Sequence, residues 1–372
     1  MELRRNKEEK IMNMRMTIAA TLLAASTIGA KAQTVPEGYP ADYARTIEAS
    51  RDELGLLVYS NFPASFWEPL IEAFDEAYPW IKVETANFDA EMWEKYRLEA
   101  KQEVRTADII TTVAPEHWVQ FVKDGHLEPY ASPELPNLPA WSVPFEGLYT
   151  ISAVPMPIVW NRALVNPGPQ SLAELAEMVK ADPDRWRNKI TMYDAEVNPY
   201  GLAIMRNWLN HKDNDWSLFE TIGPMTLPER GAGTMREKTS TGEYLSIVFT
   251  SGLGISQLEA PGGKATLDYA FPKDGTPLSL QSIGITKTAS SPNSAKLLLD
   301  FILSRPGQIA FAKAGFTPYR EDISPDEVPF YTLPMIRDIV GEENLFIMSY
   351  TPEALAGTNE LIERWVKTFR QK

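Results

Sequence analysis

The chain has 372 residues, 44% hydrophobic and 23% charged, which is enough for more than one packed core and unlike a disordered chain. Fifty acidic against 36 basic residues leave a net charge of −14, which repels nucleic acid and anionic lipid and argues against both as partners. With no cysteine, disulfides, thiolate metal sites and a lipid carried on an N-terminal cysteine are excluded.

Arg4, Arg5, Lys7, Lys10 and Arg15 precede an apolar run of small residues from Met16 to Ala30, and Ala30-Lys31-Ala32 reads as a cleavage site. Residues 1–32 are therefore expected to be a secretory signal peptide cut near Ala32. The apolar run is too short for a stable membrane span. A diffusible, cysteine-free exported chain is expected in the periplasm. Residues 33–53 are polar and read as a leader arm.

The core is expected to begin at Leu54, where Leu54–Ser60 forms a short, mostly apolar run typical of a buried parallel strand. A helix carrying Leu70, Ile71, Phe74 and Tyr78 follows, with Ser65 and Glu68 at capping-box spacing. Ile81–Thr85 alternates as a second strand, and Asp89 is placed to cap the helix of Met92, Trp93 and Tyr96. Ala107–Val113 is a third strand, and the next helix starts near Pro115 and stops before Gly125. Strand and helix alternate throughout, the pattern of a parallel sheet covered by helices.

After a Pro-rich stretch at 131–145, Gly147–Val154 and Pro157–Asn161 read as strands leading across a hinge. A helix from Ser171, a strand at Ile190–Asp194, a helix entered through Asn198-Pro-Tyr-Gly201 and a strand at Tyr244–Thr250 make a second α/β lobe. Leu278–Ile285 is expected to cross back. Two helices and an amphipathic helix within Pro352–Phe369 close the chain.

Four stretches give this order a family likeness. They are Leu57-Val-Tyr-Ser60 with its helix, Ala107-Asp-Ile-Ile110 with Gly125–Tyr130, Pro157–Asn161, and Phe271–Pro277 running on to Gly315–Arg320. In order and spacing the chain resembles the extracellular solute-binding proteins of ABC importers, in the branch that contains ferric-ion binders. The resemblance implies an α/β fold of the two-lobe, type II periplasmic-binding kind, each lobe a sheet flanked by helices with a ligand cleft between. The expected division is residues 33–160 plus 280–372 in the first lobe and 161–279 in the second. It also implies a small-molecule solute and transient contact with a membrane permease; a monomer is expected. Ferric binders of that branch offer two adjacent tyrosines, a histidine and a glutamate. The matching positions here lie near Gly252 and Leu253, Pro63 and Val113, so no bare ferric ion is expected and no metal or cofactor is assigned.

Ligands of open α/β sheets bind beyond the carboxyl ends of the strands. That rule selects Ser60, Asn61 and Phe62, then Thr112 and Val113, in the first lobe. In the second it selects Asp194, Asn198 and Tyr200, then Thr250 and Ser251. Ser60 and Asn61 serve equally well as helix caps, and Thr250 and Ser251 as turn residues. These cleft edges contain hydroxyls, amides and helix starts, with no lysine or arginine among the selected residues, which suits a small organic anion. The rival solute is a cationic amine of the polyamine or thiamine kind boxed by Asp194, Tyr200 and Phe62, and a ferric complex is a further alternative. No nucleophile elbow, dinucleotide loop or zinc spacing occurs, so no enzyme is expected. A sensor presenting its solute to a membrane receptor is the alternative to an importer subunit.

Overall fold

The computed structural model describes residues 35–89, 91–259 and 263–370; the expected signal peptide and its cleavage site lie outside the described residues. In chain order the elements are α1 (Tyr43–Ala49), β1 (Leu56–Ser60), α2 (Glu68–Ala77), β2 (Val83–Asn87), α3 (Met92–Lys101), β3 (Ile109–Thr112) and α4 (Pro115–Lys123). Next come β4 (Leu148–Pro155), β5 (Ile158–Asn161), α5 (Leu172–Ala181), α6 (Pro183–Trp186), β6 (Ile190–Thr191), α7 (Pro199–His211), α8 (Ser217–Ile222), α9 (Ala232–Ser240) and β7 (Ser246–Ile247). The remainder is α10 (Ile255–Glu259), β8 (Leu267–Ala270), β9 (Thr276–Ile285), α11 (Pro292–Leu303), α12 (Arg305–Ala312), α13 (Leu333–Val340), β10 (Leu345–Ile347) and α14 (Thr358–Phe369).

These strands build two sheets, in the two-lobe α/β fold that the alternation of elements suggests. The first has six strands, ordered β10-β9-β3-β1-β2, with β4 paired to β9. β1 lies parallel to β2 and β3, whereas β9 runs antiparallel to both β3 and β4. The second sheet has the order β6-β7-β5-β8. β1, β3, β4, β5 and β9 are buried almost throughout, which is why they read as apolar runs rather than alternating ones.

The chain changes sheets at Met156–Pro157, between β4 and β5, and again at residues 271–275, between β8 and β9. Both points precede the expected crossings near Asn161 and Gly284. Asn161 already pairs with Leu267 in the second sheet, and Gly284 pairs with Ile110 and Leu148 inside the first. Gly252 sits against the first crossing, where an added Cβ would lie 2.5 Å from the Pro155 carbonyl oxygen.

Three local expectations change. The leader arm contains α1, held because Tyr43 donates to buried Asp300 of α11 at 2.7 Å. Neither Ser65 nor Asp89 caps a helix; α2 and α3 start at residues without a side-chain cap. The C-terminal helix α14 packs on elements of the second lobe instead of on the first sheet. Its Thr368 accepts from Trp216 Nε1 at 2.8 Å, and Phe369 meets the rings of Trp216 and Phe219.

Candidate functional site

Between the two sheets lies a cleft of about 570 Å³. The first-sheet side supplies Asn61 and Phe62 after β1, Thr112 to Ala114 after β3, His117 of α4, and Gln281 of β9. Trp93, Asp89 and Val154 of β4 also line that wall. The second side supplies Tyr193 after β6, Asn198 to Tyr200 at the start of α7, Arg230 and Gly231 at the start of α9, and Ser251 with Leu253 after β7.

Seven of the ten residues selected from sequence thus line one cavity, and three do not. Ser60 is fully buried; its Oγ donates to the Phe62 carbonyl and accepts from Trp67 Nε1 at 3.2 Å. Thr250 is buried, and its Oγ1 has no hydrogen-bond partner among the described residues. Asp194 is the substantive correction, because its carboxylate pairs with Arg370 at 2.6 Å and accepts from the Glu196 amide. It is a structural anchor for the chain's C-terminal end, so the cation box built on Asp194 does not exist.

Several lining residues are themselves committed. Asn198 caps α7 by accepting from the Tyr200 and Gly201 amides, and its Nδ2 donates to the Arg230 carbonyl. Ser251 Oγ accepts from the Leu253 amide. Phe62 stacks on Trp67 with ring centroids 5.1 Å apart. The Tyr200 hydroxyl donates to Met156 Sδ at the sheet crossing, and its ring meets Tyr193 edge-on at 5.2 Å.

Electrostatics sharpen the picture. Burial pushes the Tyr193 hydroxyl up to about 12 and raises that of Tyr200 further, so both stay protonated and can donate. Burial lowers the His117 imidazole against the opposing pull of Glu116 and so favours its neutral form, and the ring stacks on Trp93 at 5.5 Å. The cleft also holds a cation that the sequence reading did not find. Arg230 is exposed at the cleft and forms no ion pair or side-chain hydrogen bond among the described residues. Arg236, one helical stretch further on, is half-buried, equally unpaired among the described residues, and close enough for its charge to act on Tyr193. On the facing wall Asp89 is exposed and forms no ion pair among the described residues. No group of three or more histidine, aspartate and glutamate side chains converges among the described residues.

A family model for bacterial extracellular solute-binding proteins matches residues 105–332. The chain belongs to this family. A solute-binding protein is what the cleft between two sheets suggests, and solved structures repeat the fold. The substrate-binding protein of an ABC transporter from Agrobacterium tumefaciens is 20% identical, with a TM-score of 0.74 over 85% of this chain and 96% of that one. The periplasmic binding protein AfuA from Actinobacillus pleuropneumoniae, with fructose-6-phosphate bound, is 18% identical, with a TM-score of 0.65 over 86% and 99%. Apo ferric ion-binding protein A from Pasteurella haemolytica is 17% identical, with a TM-score of 0.67 over 85% and 98%. Identities this low carry the fold and leave the solute open. A search of curated sequences finds no match.

Proposed function

We propose that this solute-binding protein is the periplasmic substrate-binding subunit of an ABC importer, and that its solute is a small organic anion captured by closure of the two lobes. The observation that carries the charge of the solute is the second-lobe wall. In a chain of net charge −14, Arg230 lines the cleft without a carboxylate partner among the described residues, and Arg236, equally without one, lies behind that wall close enough for its charge to act on Tyr193. Gly231 starts α9 there without a side-chain cap, leaving amide N–H groups that favour negative charge. Fructose-6-phosphate in the AfuA structure is a solute of this charge in a protein of this fold.

The lobes in this proposal are the bodies carried by the two sheets, with the crossings at 156–157 and 271–275 as hinge strands. The protein acts as a monomer, is exported with loss of residues 1–32, and meets the permease transiently. A cationic solute keeps one specific observation in its favour, the unpaired Asp89.

Paired substitutions separate the two. Arg230→Gln is expected to weaken an anion about tenfold or more, the loss of one charge-assisted hydrogen bond, while Asp89→Asn leaves it unchanged or tighter. Calorimetric titration of organic anions and of amines against both variants gives the answer. Amine binding that Asp89→Asn removes and Arg230→Gln spares would overturn the anion reading.

A further inference from the structure

Two carboxamides meet on the first-lobe side of the cleft. Gln281 of β9 is only 3% exposed yet lines the cavity. Its Nε2 donates to Asn61 Oδ1 at 3.0 Å and to the buried Thr111 Oγ1 at 3.1 Å. Asn61 also lines the cavity. Gln281 Oε1 and Asn61 Nδ2 therefore have no hydrogen-bond partner among the described residues, and neither atom is sealed inside the protein.

An amide in contact with another amide spends one donor and one acceptor. If both side chains are turned over, the spent atoms exchange, and the Thr111 hydroxyl serves in either role. One donor and one acceptor are left over in both arrangements. Such a pair matches a group that accepts and donates from the same place. A hydroxyl does both; an ionised oxygen only accepts, an ammonium only donates, and a methyl does neither. Leaving the two amide atoms unmatched in a closed, dehydrated cleft would be costly, so the pair selects as well as binds.

We infer that the cleft selects a hydroxylated organic anion, with Asn61 and Gln281 as the specificity-determining pair for a hydroxyl of the solute and Arg230 across the cleft for its charge. This rests on the anion reading above. Polyol phosphates, sugar phosphates and sugar acids share the required chemistry.

Matched probes test it by calorimetry: glycerol 3-phosphate against propyl phosphate, glucitol 6-phosphate against hexyl phosphate, and gluconate against hexanoate. At least one hydroxylated member is expected to bind about tenfold or more tightly than its alkyl partner, the effect of one or two hydrogen bonds. The phosphate and carboxylate arms show which charged group is taken. Gln281→Leu is expected to close that gap. Asn61→Ala, at a half-buried position, provides the same test should the first variant fold poorly. Alkyl members that bind as tightly as their partners, or a gap that survives both variants, would overturn this inference and leave the anion reading standing. Binding of amines alone, with every anion silent, would overturn both.

Discussion

Asp300 offers a quantitative test of how the first lobe is held together. It is 1% exposed on α11 and accepts from Tyr43 at 2.7 Å, Tyr130 at 2.6 Å and Ser132 Oγ at 2.6 Å. Burial raises its carboxyl from 3.8 to about 6, even though those three hydrogen bonds pull the other way and only the Glu134 charge adds to the rise. The ionised form is thus disfavoured by folding. A group raised in this way gives its full stabilisation below its unfolded value and loses it as pH climbs through the folded one. The difference corresponds to about 3 kcal/mol lost between roughly pH 4 and pH 6, at ~1.4 kcal/mol per pKa unit. Asp300→Asn keeps an acceptor for one donor and removes the titration, since a tyrosine hydroxyl can turn to accept from the new amide. Urea unfolding of wild type and variant at half-unit steps from pH 4 to pH 7 measures it. The wild type should lose stability relative to the variant by about 3 kcal/mol across that window. Parallel pH profiles for the two proteins would refute the reasoning.

Other substitutions probe the join between the lobes. Arg206 of α7 is 5% exposed; it lies 3.3 Å from Glu116 of α4 and donates to Ala356 O and Thr358 Oγ1 at the start of α14. Arg206→Ala is expected to cost about 3 kcal/mol in urea unfolding, because a buried cation and its packed stem are removed from three partners. Glu116→Gln, at a residue one-third exposed, should cost about 1 kcal/mol. Gly252→Ala would force a Cβ to within 2.5 Å of the Pro155 carbonyl at a sheet crossing, and is expected to lower stability by about 1–3 kcal/mol.

The sequence made the parallel strands and their helices legible because their apolar runs are long and bounded by turn residues. β1, β3, β4 and β9 fall within two or three residues of their expected limits. Less was legible where tertiary contact decides. β6 and β7 each span two residues, far shorter than the apolar runs around them. α9 was missed because it holds few apolar residues, burying only Met235 and Thr239. That omission hid Arg230. It reaches the cleft because the Glu229 amide donates to Met192 O while Glu229 O accepts from the Asp194 amide, a long-range pairing that no local pattern announces. Gln281 left a trace that could have been read, as a carboxamide in the middle of the apolar strand Leu278–Ile285. Asp194 misled for the opposite reason. It sits where the strand-end rule looks for ligands, but its partner, Arg370, lies near the far end of the chain.

Capture by closure is most directly measured by small-angle X-ray scattering on the protein alone and with a saturating anion identified by calorimetry. Rotation of the two lobes about 156–157 and 271–275 predicts a smaller radius of gyration and a narrower pair-distance distribution when the solute is bound. A bound, saturated protein whose scattering curve superimposes on that of the free protein would contradict it.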